Sequence, residues 1–400
     1  MPSMSNNNTN VLIAGGGFGG IKAALELSKN KNLNVTLVSD HGHFRYYPAI
    51  YHTATGGERA GSRLRISELL GGRNVKFVRA RITKLDREKK QVLTEDGQAL
   101  PYDTLVMALG NVTNYFGIKG LPEYSYGIKS TEQAEQFKKH LHEQIAQSGP
   151  DQNYVIIGGG PTGIELAGNL PGYLRRIMKN HGVKAEKPLT ITLVEALPTL
   201  LPRSPKKISA AVTKRLEKLG VTIMTNAAVS EQTADALKIG DKTLPTNTVV
   251  WTAGVMINPF FQENGFKMTD RHKVEVNEFL QAEPNIYVIG DNANTPFSGM
   301  AQTALYDGHF VAHAIQDTVA GKTPKAYVAK KPISVIPVGS NWAAVEWGNV
   351  VTAGLVGGFL HIFVDLIGFH DMQSWPKAAV QWMRSKKEGD QEVCEHCAKN

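Results

Sequence analysis

An α/β fold is what this 400-residue chain predicts, on three observations. Two short apolar runs, 11–14 and 155–157, each lead into glycines in G-x-G-x-x-G spacing: Gly15, Gly17, Gly20 and Gly158, Gly160, Gly163. Each loop opens a helix-forming stretch and is followed by a second apolar run, 35–38 or 189–194, that ends in polar residues. A third apolar strand, 285–289, ends in Gly290-Asp291. The repeats predict two Rossmann-like dinucleotide-binding domains, the second inserted in the first, followed by a C-terminal membrane-associating helical region.

Each glycine of the first loop has a physical reason. Gly15 permits the tight turn, Gly17 lets a pyrophosphate approach the backbone, and Gly20 lets helix pack on strand. The phosphates then face the N-terminus of a helix, where unpaired N–H groups and the dipole favour anions. Residues 35–38 end at Ser39-Asp40, where an acceptor for ribose hydroxyls is expected. The second loop is matched by Glu195 at the end of 189–194. That interval is longer than usual and is read as an extended helix broken at Pro171-Gly172. Residues 105–109 form a strand ending at Gly110, and 248–251 echo it ahead of Gly254. A glycine there allows close backbone approach to a cofactor. Strands are also expected at 75–80, 82–85, 91–94 and 221–224, and a helix at 131–147.

The expected boundaries follow. Residues 1–10 are a polar tail, 11–115 and 255–325 form the first domain, and 116–254 the second. Residues 326–387 form a C-terminal domain with amphipathic helices, and 388–400 a tail. A net charge of +8 suits an acidic partner. No dense Lys/Arg run with interleaved aromatics is present, which sets nucleic acid aside. The N-terminus lacks the charged and apolar regions of a signal peptide.

The two cysteines, Cys394 and Cys397, both lie in the last seven residues. The C-x-x-C would be half a metal site or a redox tail. No other cysteine completes a tetrahedral set, so a solvated, silent tail is expected and no metal site is assigned.

Residues 350–369 are nearly apolar, but Asp365, His361 and four glycines interrupt them. Asp365 would be costly in lipid. Ser374 would cap a following helix with Trp375, Ala379, Trp382 and Met383 on one face, flanked by Lys377, Arg384, Lys386 and Lys387. That composition suits a helix lying on an anionic membrane surface. The alternative is packing on the protein's own core or on a dimer partner.

In this order the elements resemble the two-dinucleotide-binding-domain flavoproteins, and most of all the type II NADH:quinone oxidoreductases. The likeness runs from about Val11 to Trp382. It is carried by Phe44-x-x-Tyr47-Pro48 with 51–56, by 116–121, by Gly163-Ile164-Glu165-Leu166-Ala167-Gly168, and by Trp251-Thr252-Ala253-Gly254-Val255. Ala301-Gln302-Thr303-Ala304, Asn341-Trp342-Ala343-x-x-Glu346-Trp347-Gly348 and 366–369 extend it. The resemblance implies FAD on Gly15, Gly17, Gly20, Ser39 or Asp40, Pro48, Ile82, Gly110, Asp291 and Gln302. It implies NADH on Gly158, Gly160, Gly163, Glu195 and Gly254, and a membrane quinone at Gln302 and Tyr306. Tyr306 stands where the family usually has a second Gln, and a tyrosine also donates to a quinone carbonyl. Glu165 is the implied catalytic residue, positioning the nicotinamide or linking a proton. It is read on the first turn of its helix, where the dipole favours a carboxylate.

The resemblance further implies a non-proton-pumping respiratory-chain enzyme, peripheral on the inner face of the cytoplasmic membrane. Cysteine-dependent disulfide and sulfide:quinone reductases are disfavoured by the cysteine positions. A soluble reductase linked to ferredoxin or another acceptor is the competing expectation.

Overall fold

The computed structural model describes residues 8–394. The chain divides into two units, both discontinuous. The first comprises Met1–Phe44, Leu64–Val112 and Val255–Pro332; the second comprises Arg45–Arg63, Thr113–Gly254 and Ile333–Asn400.

The first unit is built on a six-stranded sheet in the order Gln281–Glu283, Ile286–Val288, Thr104–Met107, Thr9–Ala14, Leu33–Ser39, Val75–Arg79. Its strands are parallel except the first, which pairs antiparallel with Ile286–Val288. Thr104–Met107 is buried at every position, as expected of a strand covered on both faces. The helices Phe18–Leu27 and Ala301–Val319 pack along each other. Gly308 sets their spacing, since a Cβ there would lie 2.3 Å from Gly19 O. A three-stranded antiparallel meander, Ile82–Asp86, Gln91–Thr94 and Ala99–Pro101, buries Leu85, Val92 and Leu100 in the same core as Leu105 and Met107.

The second unit repeats the plan with a five-stranded parallel sheet, ordered Tyr126–Gly127, Thr248–Trp251, Asn153–Ile157, Thr190–Val194, Val221–Met224. It has its own meander, Val229–Gln232, Ala236–Ile239 and Lys242–Pro245. The helix Pro161–Asn180 runs through Pro171 without the expected break. A proline inside a helix costs about 3 kcal/mol. Leu166, Leu170, Tyr173, Leu174 and Ile177 line the buried face on both sides of it. At about 1.5–3 kcal/mol for each buried side chain, continuity wins.

Residues 45–63 were expected within a continuous 11–115, but they group with the second unit. Ile50 and Ala54 pack in the core that holds Phe137, Leu141 and Tyr173. Arg59 Nε donates to Glu135 Oε1 at 2.6 Å, and Lys138 Nζ, fully buried, donates to Gly57 O at 3.1 Å.

The C-terminal residues also belong to the second unit. The apolar stretch 350–369 is a strand, Val350–Gly354, followed by a helix, Leu355–His370. The strand closes a sheet with Ser334–Pro337 and Ala343–Trp347. Among the described residues no helix is long and apolar enough to cross a membrane. Asp365 is buried on that helix and satisfied within the protein: Lys386 Nζ lies 2.9 Å from Oδ2, and His361 Nε2 3.3 Å from Oδ1. Trp375–Ser385 is the second helix, with Ser374 at its N-cap position but making no side-chain cap.

Candidate nucleotide and electron-transfer site

In the first unit, four segments meet at the carboxyl end of the sheet. Gly15 has φ +116, and a Cβ on it would sit 2.1 Å from Ala108 O; one on Gly20 would sit 1.9 Å from Gly15 O. Those two glycines are demanded by the chain itself. Gly17 differs: its φ is −85, and an added Cβ would meet nothing within 4 Å. The turn Gly290–Asn292 comes next. Asn111 Nδ2 donates to Asp291 Oδ2 at 2.9 Å, and Asn292 Nδ2 donates to Gly110 O at 2.9 Å. The amide oxygens Asn111 Oδ1 and Asn292 Oδ1 are buried and find no partner among the described residues. The Ala301–Val319 helix starts against this turn, with Ala304 Cβ 3.3 Å from where a Gly290 Cβ would be. Gln302 and Tyr306, four residues apart, share a face of its first two turns. Lys330 Nζ lies 5.6 Å from the Tyr306 ring centroid.

Asp307 was not singled out from the sequence. It is fully buried, its Oδ2 accepts Gly290 N–H at 2.9 Å, and its Oδ1 accepts the Tyr327 hydroxyl at 2.5 Å. Burial pushes its carboxyl up to about 6, with both hydrogen bonds working against the shift. This carboxyl fixes the turn that carries Asp291. One Asp in an amphipathic helix gives no local sign of such a role.

The second unit repeats the loop in the same register. Gly158 has φ +117, and a Cβ on Gly163 would sit 2.0 Å from Gly158 O, whereas one on Gly160 would meet nothing within 4 Å. Glu195 follows the strand Thr190–Val194 directly. Its Oε2 accepts Gly159 N–H at 2.6 Å and its Oε1 accepts Leu197 N–H at 2.8 Å. Two backbone donors fix the carboxylate beside the loop. Gly254 is required by close approach, since a Cβ there would lie 2.2 Å from Asn114 O.

Register separates Ser39 from Asp40. Ala14 pairs with Val38 and Ile157 with Val194, so Ser39 occupies in the first unit the place of Glu195 in the second. A Cβ on Gly16 would meet Ser39 Oγ at 2.8 Å, as one on Gly159 would meet Glu195 Oε2 at 2.9 Å. Asp40 is exposed and lies 3.4 Å from His41 Nε2. Ile82 lies on the meander, half-buried against the core. Pro48 falls in the second unit, where it lines a small cavity with Tyr46, Tyr51, His52, Asp365 and Lys386.

Glu165 is the fifth residue of its helix, so it sits on the second turn rather than the first. The dipole effect fades within the first turn. Burial dominates instead, with the Asp365 charge adding to it, and the carboxyl titrates well above its ordinary range. Burial and the Asp365 charge, rather than the helix dipole, thus act on this carboxyl, and both favour its protonated form. Asp365 takes the opposite course: burial opposes ionisation, but His361 and Lys386 hold it below the usual range. Their neighbours push the two carboxyls in opposite directions.

Residues 9–308 match the family described as pyridine nucleotide-disulphide oxidoreductase. A type II NADH:quinone oxidoreductase of Staphylococcus haemolyticus is 29% identical over 388 residues, covering 90% of this chain and 95% of its own. The Mycobacterium tuberculosis protein of the same description is 27% identical over 393 residues, covering 89% and 82%. The solved structure of NDH2 from Plasmodium falciparum in complex with NADH superposes with a TM-score of 0.81 at 18% identity, over 94% of this chain and 97% of that one. At that identity the structural likeness carries the fold alone. The chain belongs to the pyridine nucleotide-disulphide oxidoreductase family, and within it is similar to the type II NADH:quinone oxidoreductases.

Proposed function

We propose that this chain is an FAD-dependent NADH:quinone oxidoreductase. The observation that carries the reading is the duplicated loop: in each unit the first and third glycines serve the chain's own packing, while the second leaves open space at a helix N-terminus. Such an N-terminus binds phosphate oxygens through its unpaired N–H groups.

The first unit fits a flavin dinucleotide. Gly15, Gly17 and Gly20 would hold its pyrophosphate, and Ser39 rather than Asp40 would meet its ribose. Gly110, Asp291 and Gln302 would line the remainder, and the orphaned Asn111 and Asn292 oxygens would accept from its donors. A bound flavin supplies hydride acceptance and onward electron transfer. The second unit fits NADH: Gly158, Gly160 and Gly163 would hold the phosphates, with Gly254 allowing close approach. Glu195 would accept from the adenosine ribose hydroxyls. Glu165 would hold a proton at its carboxyl and position the nicotinamide. Gln302 and Tyr306 would donate to a quinone carbonyl from one helix face.

A quinone is favoured over a soluble acceptor by the names of the relatives and by an exposed apolar face. On the Leu355–His370 helix, Leu355, Val356, Phe359, Phe363 and Ile367 are all exposed, as are Trp375 and Met383 on the following helix. Such a face suits peripheral attachment to a membrane, and Lys377, Arg384 and Lys387 on or just after the following helix would serve anionic headgroups.

NADH should be preferred to NADPH. A 2′-phosphate beside the fixed Glu195 carboxylate would cost about 1–3 kcal/mol, roughly five- to 150-fold in kcat/KM. Arg203, Lys206 and Lys207 follow Glu195 in the sequence, and any of them reaching the phosphate would soften that bias. Steady-state rates with the two nucleotides and a water-soluble quinone check this, and equal kcat/KM would remove Glu195 from the ribose site.

A further inference from the structure

Metal-ligating side chains gather in two clusters among the described residues. One joins His142, His181 and Cys394 in the second unit. It offers no thiolate, because Cys394, buried where a solvated tail was expected, is disulfide-bonded. The other joins Glu26, His309 and His313 in the first unit. Each of the three supplies one ligand atom, and these atoms lie within 4.8 Å of one another.

Two helices build this second cluster. His309 and His313 stand four residues apart on Ala301–Val319 and so share one face. Glu26 lies on Phe18–Leu27, which packs along it. Contacts on either side of the histidines fix the spacing of the two backbones. Gly308 packs against Gly19 O, and Gln316 Nε2 donates to Glu26 O at 3.1 Å. Between these contacts, His309 Nδ1 lies 3.8 Å from Glu26 Oε1, and the two imidazole centroids are 4.4 Å apart. Helix packing, not the cluster itself, thus brings the carboxylate to the histidine pair.

The donor set selects the ion. Two imidazoles at i and i+4 with one carboxylate are a His2Glu set, which zinc takes while keeping a position for water. Mg2+ and Ca2+ prefer oxygen ligands throughout. Tetrahedral Zn2+, with bonds of about 2.0–2.2 Å, sets N and O about 3.4 Å apart. Closing the 3.8 Å gap is a small turn for His309, which is exposed, as is His313. Burial and the neighbouring His313 hold His309 below the ordinary histidine value, against the pull of Glu26, so its ring is neutral at neutral pH as a ligand must be. Burial opposes ionisation of Glu26, but Lys29 and Lys22 bring its carboxyl down to about 2. Lys22 Nζ sits 3.2 Å from Oε1, the oxygen nearer His309, while Lys29 pairs with Oε2. Zn2+ on Oε1 takes the place of Lys22, which is partly exposed and can swing into solvent, and leaves Lys29 where it is.

We propose that Glu26 Oε1, His309 and His313 bind one Zn2+, with water completing the coordination. The ion clamps the helix that follows the first glycine loop to the helix that carries Gln302.

The test uses full-length, flavin-loaded protein without a polyhistidine tag, titrated with ZnCl2 against a chromophoric chelator. Wild-type protein should take up a Zn2+ that Glu26→Gln, His309→Asn and His313→Asn each bind about tenfold more weakly or worse, since losing even an outer partner of a ligand costs about that much. Saturating Zn2+ should raise the melting temperature of wild-type protein but not of the double variant His309→Asn, His313→Asn, because an ion bound only by the folded state stabilises it. Flavin content should match wild type in every variant. Should a variant fail to fold, anomalous diffraction at the zinc edge from wild-type crystals soaked in ZnCl2 decides, with a peak expected between Glu26 and the two histidines. Zinc peaks at other residues only overturn the proposal. So does a folded double variant that binds Zn2+ as tightly as wild type.

Discussion

Replacing Glu165 with glutamine is expected to lower turnover about a hundredfold, or about 2.7 kcal/mol in activation free energy, with flavin content unchanged. Glutamine keeps the size and a hydrogen-bond donor but cannot release a proton. Burial and the Asp365 charge raise the Glu165 carboxyl well above its usual range, so it keeps its proton to higher pH than an ordinary carboxyl. Activity that needs this proton is full below the raised pKa and falls as pH rises through it. The variant should lose that alkaline limb and show a flat profile. Steady-state kcat across pH checks both. Wild-type kcat and an unchanged limb in Glu165→Gln would leave this residue a structural role only.

The second large effect concerns the membrane. Phe359 and Phe363 stand one helical turn apart, with ring centroids 5.0 Å apart, and are 61% and 49% exposed. Changing both to Glu removes about 1.5–3 kcal/mol of apolar burial per side chain. Each carboxylate adds about 1 kcal/mol of repulsion at an anionic surface. The sum, about 5–8 kcal/mol, weakens partitioning by roughly 10⁴- to 10⁶-fold. The double variant should stay in the supernatant when anionic phospholipid vesicles are sedimented, with its flavin still bound. Co-sedimentation equal to wild type would place the contact elsewhere. Point changes are cleaner than removing residues 350–400, because that deletion also takes the strand Val350–Gly354 and buried Phe369 and Asp390.

What was legible in the sequence is what is local. The glycine spacings, the apolar runs and the residues closing them are set by the φ and close-approach demands of one turn, so a window of ten residues carries them. Register, read only from the paired strands, gives Ser39 in the first unit the place that Glu195 holds in the second. Asp365 read as an oddity in an apolar stretch because its partner Lys386 lies just past the end of the next helix. Pro171 read as a break because the opposing term, burial of five large side chains, is tertiary. Arg45–Arg63 read as part of the first domain because chain continuity is visible and the core around Ile50 is not. Asp307, and His142 with His181 and Cys394, come together only through folding, from elements that share no local motif.

The central claim is the passage of reducing equivalents from NADH through a bound flavin to a quinone. Anaerobic stopped-flow absorbance at the flavin band tests it directly, with NADH mixed first and a short-chain quinone second. The account predicts rapid bleaching by NADH and rapid recovery with quinone, with free FAD released afterwards on acid denaturation. Protein purified without flavin despite added FAD would contradict it. So would flavin that NADH bleaches but quinone does not reoxidise.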